Sequence, residues 1–461
     1  FDLQLDIATI VPAGDTRDSE AIASNVSGFN QLIQASLLDS FPEAADDRLV
    51  RRDLYGLITR LAVLPVARSV AQNPEYLGTR QPFSLALSDD LDLYLKGAIT
   101  KRRWIDAGVP GRLGLSETGQ YVLSDAGTTE FPILRALWEV PEDNRPGLII
   151  RLGETWFSLD ELSGASVIMT YLTGPIQTGE QAGTPFRAMI LSAPESKRVI
   201  SDRQIAWITR LEEDGRISRG WNTTLLTNAD STYPELAGAA AAILGSFFTM
   251  LITAFFAIPI GILAAIYLEE FAPKNRLTDM IEVNINNLAA VPSIVFGLLG
   301  AVVFLNAFGM PRSVPFVGGL VLGLLVLPTV IIASRAALKS VPQSIRTAAL
   351  GLGASKTQSI FNHVLPLAAP GIMTGSIIGM ARALGETAPL LLIGMVAFVA
   401  DVPSGPGDES TVLPVLIFKW STGAERAWEP MTAAAIVILL IFLVLMNLAA
   451  VFLRRQFERR W

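Results

Sequence analysis

The sequence predicts an α-helical polytopic membrane protein that also carries an α+β extramembrane domain. Three observations predict it. Of 461 residues, 51% are hydrophobic and 17% charged, with a mean hydropathy of +0.43, which is too apolar for a soluble chain of this length. The apolar residues are concentrated from Leu236 onward. Before that point no run approaches the roughly 20 apolar residues that a helix needs to cross a bilayer core. The expected division is an extracytoplasmic α+β domain over 1–235 and a transmembrane domain over 236–461.

The same totals exclude whole classes of chemistry. The chain has no cysteine, which rules out disulfides, thiolate catalysis and Cys-based metal sites. A single histidine, His363, leaves no basis for a His metal site or a catalytic triad, and it reads as a packed or surface loop residue. No catalytic residue and no metal is expected. A formal charge of −7 without a dense Lys/Arg patch argues against nucleic acid. The first residue is Phe1 rather than Met, so a processed signal or a further segment is expected ahead of it.

In the first 235 residues, Phe1–Ile7 alternates apolar and polar, as a half-buried strand does. Phe29–Leu38 and Asp53–Leu61 carry helical spacing. Gly147–Leu152 and Phe186–Leu191 read as strands bounded by turn residues. Ser201-Asp-Arg-Gln204 is a capping-box pattern that opens a helix ending near Asp214-Gly215. Asp89, Asp90 and Asp92 read as a solvated surface. No cofactor fingerprint appears, and Asn222-Thr-Thr is a three-residue glycosylation pattern too short to carry weight.

From Leu236 the composition changes. Leu236–Leu268, Asn284–Met310 and Ser313–Ser334 hold no charge at all. Pro366–Ala400 holds only Arg382 and Glu386, and Met431–Leu453 is the fifth apolar run. Each is long enough to cross a membrane. Basic residues follow the first span (Lys274, Arg276), separate the third and fourth (Lys339, Arg346, Lys356) and follow the fifth (Arg454, Arg455, Arg459, Arg460). The loop after the fourth span is acidic, with Asp401, Asp408 and Glu409. Positive-inside distribution then puts the C-terminus in the cytoplasm and the N-terminal domain outside. An exported domain ahead of the first visible span calls for one more helix, six in the full gene.

The fourth span carries the candidate site. A charge at membrane depth costs roughly 2.5–3.5 kcal/mol on insertion scales, so Arg382 and Glu386 need a reason. Four residues apart on a helix, they share a face and can pair. Pro389 adds to this, because its missing N–H would leave the Gly385 carbonyl without a helical partner, which is tolerated at membrane depth where backbone lines a wet cavity. A structural ion pair and a solute pathway both fit. The pathway candidates are Arg382, Glu386, Thr387 and Gly385. Ser293, after Pro292, is a weaker one, because a serine in a membrane helix most often bonds back to its own helix.

The loop from Lys339 to Pro366 reads as helix, glycine turn, helix. Ser340 with Gln343 is a capping-box pattern with Pro342 in the first turn, and Gly351 and Gly353 follow the small residues Ala348 and Ala349. Gly351-Leu-Gly-Ala-Ser-Lys-Thr357 is not a phosphate loop: Ser355 stands where the pattern needs Gly before Lys-Ser/Thr. This chain is not expected to bind ATP.

The loop resembles the EAA loop of ABC-importer permeases, whose pattern is Glu-Ala-Ala, three residues, Gly, nine residues, Ile, one residue, Leu-Pro. Here Thr347-Ala348-Ala349, Gly353, His363 and Leu365-Pro366 occupy those places, with Thr347 for Glu and His363 for Ile. Gly371–Gly375, Ala290–Gly297, Pro259–Tyr267 and the run Ala381-Arg-Ala-Leu-Gly-Glu-Thr-Ala-Pro-Leu-Leu391 look like phosphate-specific permeases of the PstA type. The resemblance covers roughly Leu236 to Trp461, and the N-terminal domain resembles the extra region that some PstA-type proteins carry. It implies a type I ABC-importer permease fold in the inner (plasma) membrane of a bacterium. The chain would be a transporter subunit and not an enzyme, forming half of a phosphate pathway with a PstC-type second permease. Two copies of a PstB-type nucleotide-binding subunit would hydrolyse ATP with Mg and dock on Thr347, Ala348, Ala349, Gly353, Leu365 and Pro366, and a PstS-type binding protein would deliver phosphate. A permease for another oxyanion, such as sulfate or molybdate, keeps the mechanism and changes the substrate. A membrane sensor with a ligand-binding ectodomain is the other class, and it would need a cytoplasmic effector domain.

Overall fold

The computed structural model describes residues 1–461 except 8–9, 15, 17, 109–111, 117–119, 125–130, 142–143, 164–165, 177–178, 181–185, 397 and 458–461. Two compact units divide it, Phe1–Trp221 and Asn222–Trp461.

In the first unit, β1 (Asp2–Ile7) buries Leu3, Leu5 and Ile7, the alternation expected of it. Helices α1 (Val26–Ser40), α2 (Arg48–Tyr55) and α3 (Val63–Gln72) follow. The strands after β1 are β2 (Gln81–Ala86), β3 (Arg102–Gly108), β4 (Arg112–Leu115), β5 (Tyr121–Ser124), β6 (Gly147–Leu152), β7 (Thr155–Ser163), β8 (Ser166–Thr173), β9 (Gly179–Glu180), β10 (Phe186–Leu191) and β11 (Ile217–Ser218). A three-stranded sheet runs β11-β1-β2, with Leu3 opposite Leu85. An eight-stranded sheet runs β3-β10-β6-β7-β8-β5-β4-β9, and its described pairings are antiparallel. Strand β10 shows why this sheet is apolar on both faces. Phe186 and Ala188 enter a core with Leu148, Ile150 and Phe157, whereas Met189 and Leu191 enter the larger core with Trp156 and Trp207. Helix α4 (Asp202–Glu213) opens with the capping box expected at Ser201 and Gln204 and is followed by Gly215 at φ +70°.

Two expectations here need correction. The helix expected over 53–61 lies earlier, because Asp47 caps it by accepting from the Leu49 N–H at 2.7 Å. It stops at Tyr55; Ile58 then bridges to Leu87 as strand-like backbone. The acidic run is not only solvated surface: Asp89, Asp90 and Asp92 form the first turn of a short helix, Asp89–Leu95, where carboxylates favour the helix dipole, and Asp92 pairs with Lys96.

The second unit is helical. Helix α5 (Ala240–Ile266) ends in a π-turn at Tyr267–Phe271. Helices α6 (Arg276–Ala289), α7 (Ser293–Gly300, continuing as a π-turn to Ala307) and α8 (Pro315–Ser340) follow. Next come α9 (Gln343–Gly351), α10 (Leu365–Leu384), α11 (Ala388–Leu392), α12 (Leu413–Ser421) and α13 (Trp428–Phe457). Ala240–Phe271, Pro315–Ser340, Lys356–Leu384 and Trp428–Phe452 are each long and apolar enough to cross a membrane. The second expected span qualifies only as α6 and α7 together, bent by 102°. Pro292 explains the break, since it lacks an N–H and pushes Val291 out of helical backbone.

Helix α8 is the centre of the bundle. A Cβ on Gly319 would lie 2.6 Å from Ile252 of α5, and one on Gly323 2.6 Å from Phe256. On the α10 side, a Cβ at Gly371 or Gly375 would lie 2.8 or 2.1 Å from the Ala337 or Ala333 methyl. Small residues at every fourth position let backbones approach closely, which drives helix packing where lipid removes the hydrophobic term.

The helical unit begins ahead of the hydropathy break at Leu236, and buried polar contacts explain why. Asp230 pairs with Lys419 of α12 and accepts from the Trp420 indole N–H at 3.3 Å. Ala237 and Ala239 pack in the same cluster as Trp420 and Trp428. The segment from Asn222 is polar in sequence, yet it folds onto the ends of α5, α12 and α13.

Candidate pathway site and coupling loop

Arg382 lies in the last turn of α10, and Glu386 lies beyond its end. The fourth span was expected to run on to Ala400. It stops at Leu384 instead, with Gly385 as C-cap, and α11 restarts the helix with Pro389 in its first turn. Pro389 therefore stands where its missing N–H has no helical partner to lose, and it does not orphan the Gly385 carbonyl inside a continuous helix. The charge pair flanks a helix break.

The pair forms as expected. Arg382 Nε is 3.5 Å from Glu386 Oε1, with the two side chains 51% and 20% exposed. Those exposures bear on the two readings. A self-contained ion pair would be covered on both sides, but about half of the Arg382 side chain is exposed, while Glu386 is largely covered. Ile378, one turn back on the same stripe of α10, is 62% exposed. The neighbouring residues Ala383 and Leu384 are buried and line a small cavity with Thr249, Met250 and Leu322. Leu322 sits about two turns inside α8. Arg382 and Ile378 thus lie on an open stripe of α10, and Glu386 is mostly covered beside the helix break.

Helix α7 forms the wall beside it. A Cβ on Gly297 would lie 2.6 Å from the Pro389 Cα, so α7 and α11 touch backbone to backbone. Ser293 is the first residue of α7, half-buried, one turn from that contact. Thr387 is half-buried at the start of α11, and its carbonyl accepts from the Leu390 and Leu391 N–H groups.

In the loop, α9 carries Thr347, Ala348 and Ala349, with Thr347 and Ala348 exposed and Ala349 buried. Gly353 adopts φ +87°, the left-handed conformation that closes a helix and suits glycine. Leu350 is 49% and Leu352 90% exposed, so the turn presents apolar side chains outward. Two expectations are corrected. Ser340 does not cap α9; its hydroxyl donates to the Ala337 carbonyl in the last turn of α8, and Pro342 occupies the cap position. The capping box that forms is Ser355 with Gln358. Nor is the second helix of the loop separate. Lys356–Ser359 passes through a π-turn at Ile360–Val364 straight into α10. Pro366 supplies no N–H for the Asn362 carbonyl, and widening the preceding turn absorbs that loss. His363 is exposed in this turn; Leu365 and Pro366 are half-buried.

The family model described as binding-protein-dependent transport system inner membrane component matches residues 257–461. A second, a domain of unknown function (DUF3333), matches residues 1–103. The phosphate transport system permease protein PstA 1 of Mycobacterium tuberculosis is 32% identical over 251 residues, covering 53% of this chain and 82% of that protein. The chain belongs to the PstA family of binding-protein-dependent permeases. The Yersinia pestis PstA is 34% identical over 214 residues, 46% of this chain and 71% of that one. The probable ABC transporter permease protein YqgI of Bacillus subtilis is 33% identical over 166 residues, 36% of this chain and 56% of the relative. A solved MetNI methionine ABC transporter matches with a TM-score of 0.40 and 18% identity, over 48% of this chain and 97% of that one. As a member of this family, the chain is a multi-pass inner-membrane permease subunit and not itself an enzyme, and it works with ATPase and substrate-binding partners.

Sequence reading missed one set of charged residues. Glu269 and Glu270 lie in the π-turn that ends α5, and Arg335 and Lys339 lie one turn apart near the end of α8. Arg335 Nη2 is 2.6 Å from Glu282 of α6, and its Nε is 3.4 Å from Glu269. Lys339 Nζ is also 3.4 Å from Glu269. Two acids ending one span and two bases an i,i+4 step apart ending another were the available signal.

Proposed function

We propose that this chain is the PstA-type permease of an ATP-driven inorganic phosphate importer. A PstC-type permease would cover the open face of α10, so that the two together enclose the pathway. Two PstB-type subunits would bind the ATP and Mg and dock on α9 and the glycine turn, with no cofactor held by this chain. A PstS-type protein would deliver phosphate on the side of the N-terminal domain, with the C-terminus cytoplasmic.

The observation that carries the substrate is the half-open Arg382–Glu386 pair at a helix break. Arg keeps its charge where desolvated, and its planar fork matches phosphate oxygens. Glu386 gives the site its exit and its selectivity. With the site empty it holds the guanidinium; with phosphate present it accepts a hydrogen bond from the anion's own O–H, which sulfate lacks at neutral pH. Competition between carboxylate and anion also keeps the site from trapping its ion.

Anion uptake by the assembled complex in proteoliposomes, with ATP on the ATPase side, tests this. Radiolabelled phosphate is expected to accumulate and sulfate is not. Equal uptake of both anions would contradict the assignment.

A further inference from the structure

Arg346 stands in α9 immediately before Thr347, on the helix assigned to ATPase docking, yet it points inward. Its Nε and Nη2 lie 3.0 and 2.6 Å from Glu270 Oε1. Nη1 donates to the Val341 carbonyl at 2.7 Å and Nη2 to the Leu338 carbonyl at 2.9 Å. The side chains are 13% and 9% exposed. Four of the guanidinium's five donors are thus engaged by one carboxylate and two carbonyls at the end of α8, where a cation also favours the helix dipole. Lys would keep the charge and lose this fork.

Glu270 does not act alone. Its neighbour Glu269 holds Arg335 and Lys339, and Arg335 reaches Glu282 at 2.6 Å. Glu282 is on α6. Past the bend α6 becomes α7, whose Gly297 touches Pro389 beside the Arg382–Glu386 pair. A continuous line of charge-assisted contacts and backbone packing therefore joins the coupling helix to the wall of the pathway.

We infer that Arg346, with the Glu269–Glu270 pair, is a positioning device that ties the coupling helix to the α6–α7 arm and re-aims that arm when the ATPase moves α9. It deepens the proposed function and rests on the reading of residues 339–366 as the ATPase-docking loop. Contiguity alone does not demonstrate coupling, so the readout is the ratio of phosphate imported to ATP hydrolysed by the full complex in proteoliposomes.

Glu270→Gln is expected to retain the ATPase subunit and hydrolyse ATP, while phosphate imported per ATP falls by about fivefold or more, the low end of ordinary coupling between sites. Arg346→Lys is expected to shift the ratio in the same direction, and it tests the device should Glu270→Gln fail to assemble. Lys419→Gln breaks an ion pair of the same unit away from this line and is expected to leave the ratio unchanged. An unaltered ratio in both Glu270→Gln and Arg346→Lys, with the complex intact, would overturn the inference. The reading beneath it fails separately: if replacing residues 343–353 by a Gly-Ser linker leaves ATPase binding unchanged, the loop is no docking site and the relay falls with it.

Discussion

In the proposed site, Arg382 and Glu386 would divide the work between them. The guanidinium would attract any oxyanion, and the carboxylate would decide which one is accepted. Glu386→Gln replaces an obligate acceptor with an amide that also donates. Sulfate uptake, expected to be negligible in the native complex, should then rise toward that of phosphate. Transport assays with both labelled anions check this, and a variant that still refuses sulfate would place selectivity elsewhere. In the N-terminal domain, Tyr171 offers a residue-scale test of the fold. Its hydroxyl donates to the Gly174 carbonyl at 2.6 Å, and burial, reinforced by the Glu43 carboxylate, pushes its pKa up to about 12. A raised acid stays protonated longer in the folded chain, so its contribution is whole below about pH 10 and declines as pH rises from there through 12. Tyr171→Phe should weaken that alkaline loss and cost about 1 kcal/mol of stability at neutral pH, measured by thermal unfolding of the full chain.

At the scale of elements, the bundle depends on how closely α8 and α10 approach. Gly375 is the tightest point, where a Cβ would come within 2.1 Å of the Ala333 methyl. Gly375→Val should therefore destabilise the helical unit by about 1–3 kcal/mol, the ordinary cost of overpacking. A lowered melting temperature in detergent is the check, and an unchanged one would mean that the helices slide apart freely. The sequence made the five apolar runs and the Gly353 turn visible, because composition and turn residues are local signals; the close packing at Gly375 was not read from it. The break after Leu384 was missed although its signals were local: Arg382 in the last turn, Gly385 at the cap and Pro389 shortly beyond are ordinary helix-stop residues, and the apolar length of the run outweighed them. The Glu270–Arg346 ion pair was hidden for another reason. Glu270 and Arg346 are far apart in sequence, and only the fold shows that the two charges meet. In the N-terminal domain, alternation found β1 and the capping box found α4. The order of the eight-stranded sheet follows from long-range pairing that no local pattern encodes.

For the whole molecule, the distribution of basic residues predicts an N-terminal domain outside and a C-terminus in the cytoplasm. The chain lacks cysteine, so single-cysteine labelling reads this orientation directly. Ser27 and Thr357 are both exposed. In intact cells a membrane-impermeant maleimide should label Ser27→Cys and spare Thr357→Cys, while inside-out vesicles should reverse the pattern. Labelling of both from one side would refute the two-sided arrangement. With orientation set, the account proposes one connected device: an ATPase-docking helix, an ionic clamp, a bent arm, and an arginine held open at a helix break within an apolar bundle. Its central claim is that this arginine meets the transported anion, and ATP-driven phosphate uptake in proteoliposomes by the native complex and by Arg382→Gln tests that most directly. The account predicts that the variant assembles with its partners, still hydrolyses ATP, and has lost phosphate uptake. Undiminished uptake by an intact Arg382→Gln complex would contradict it.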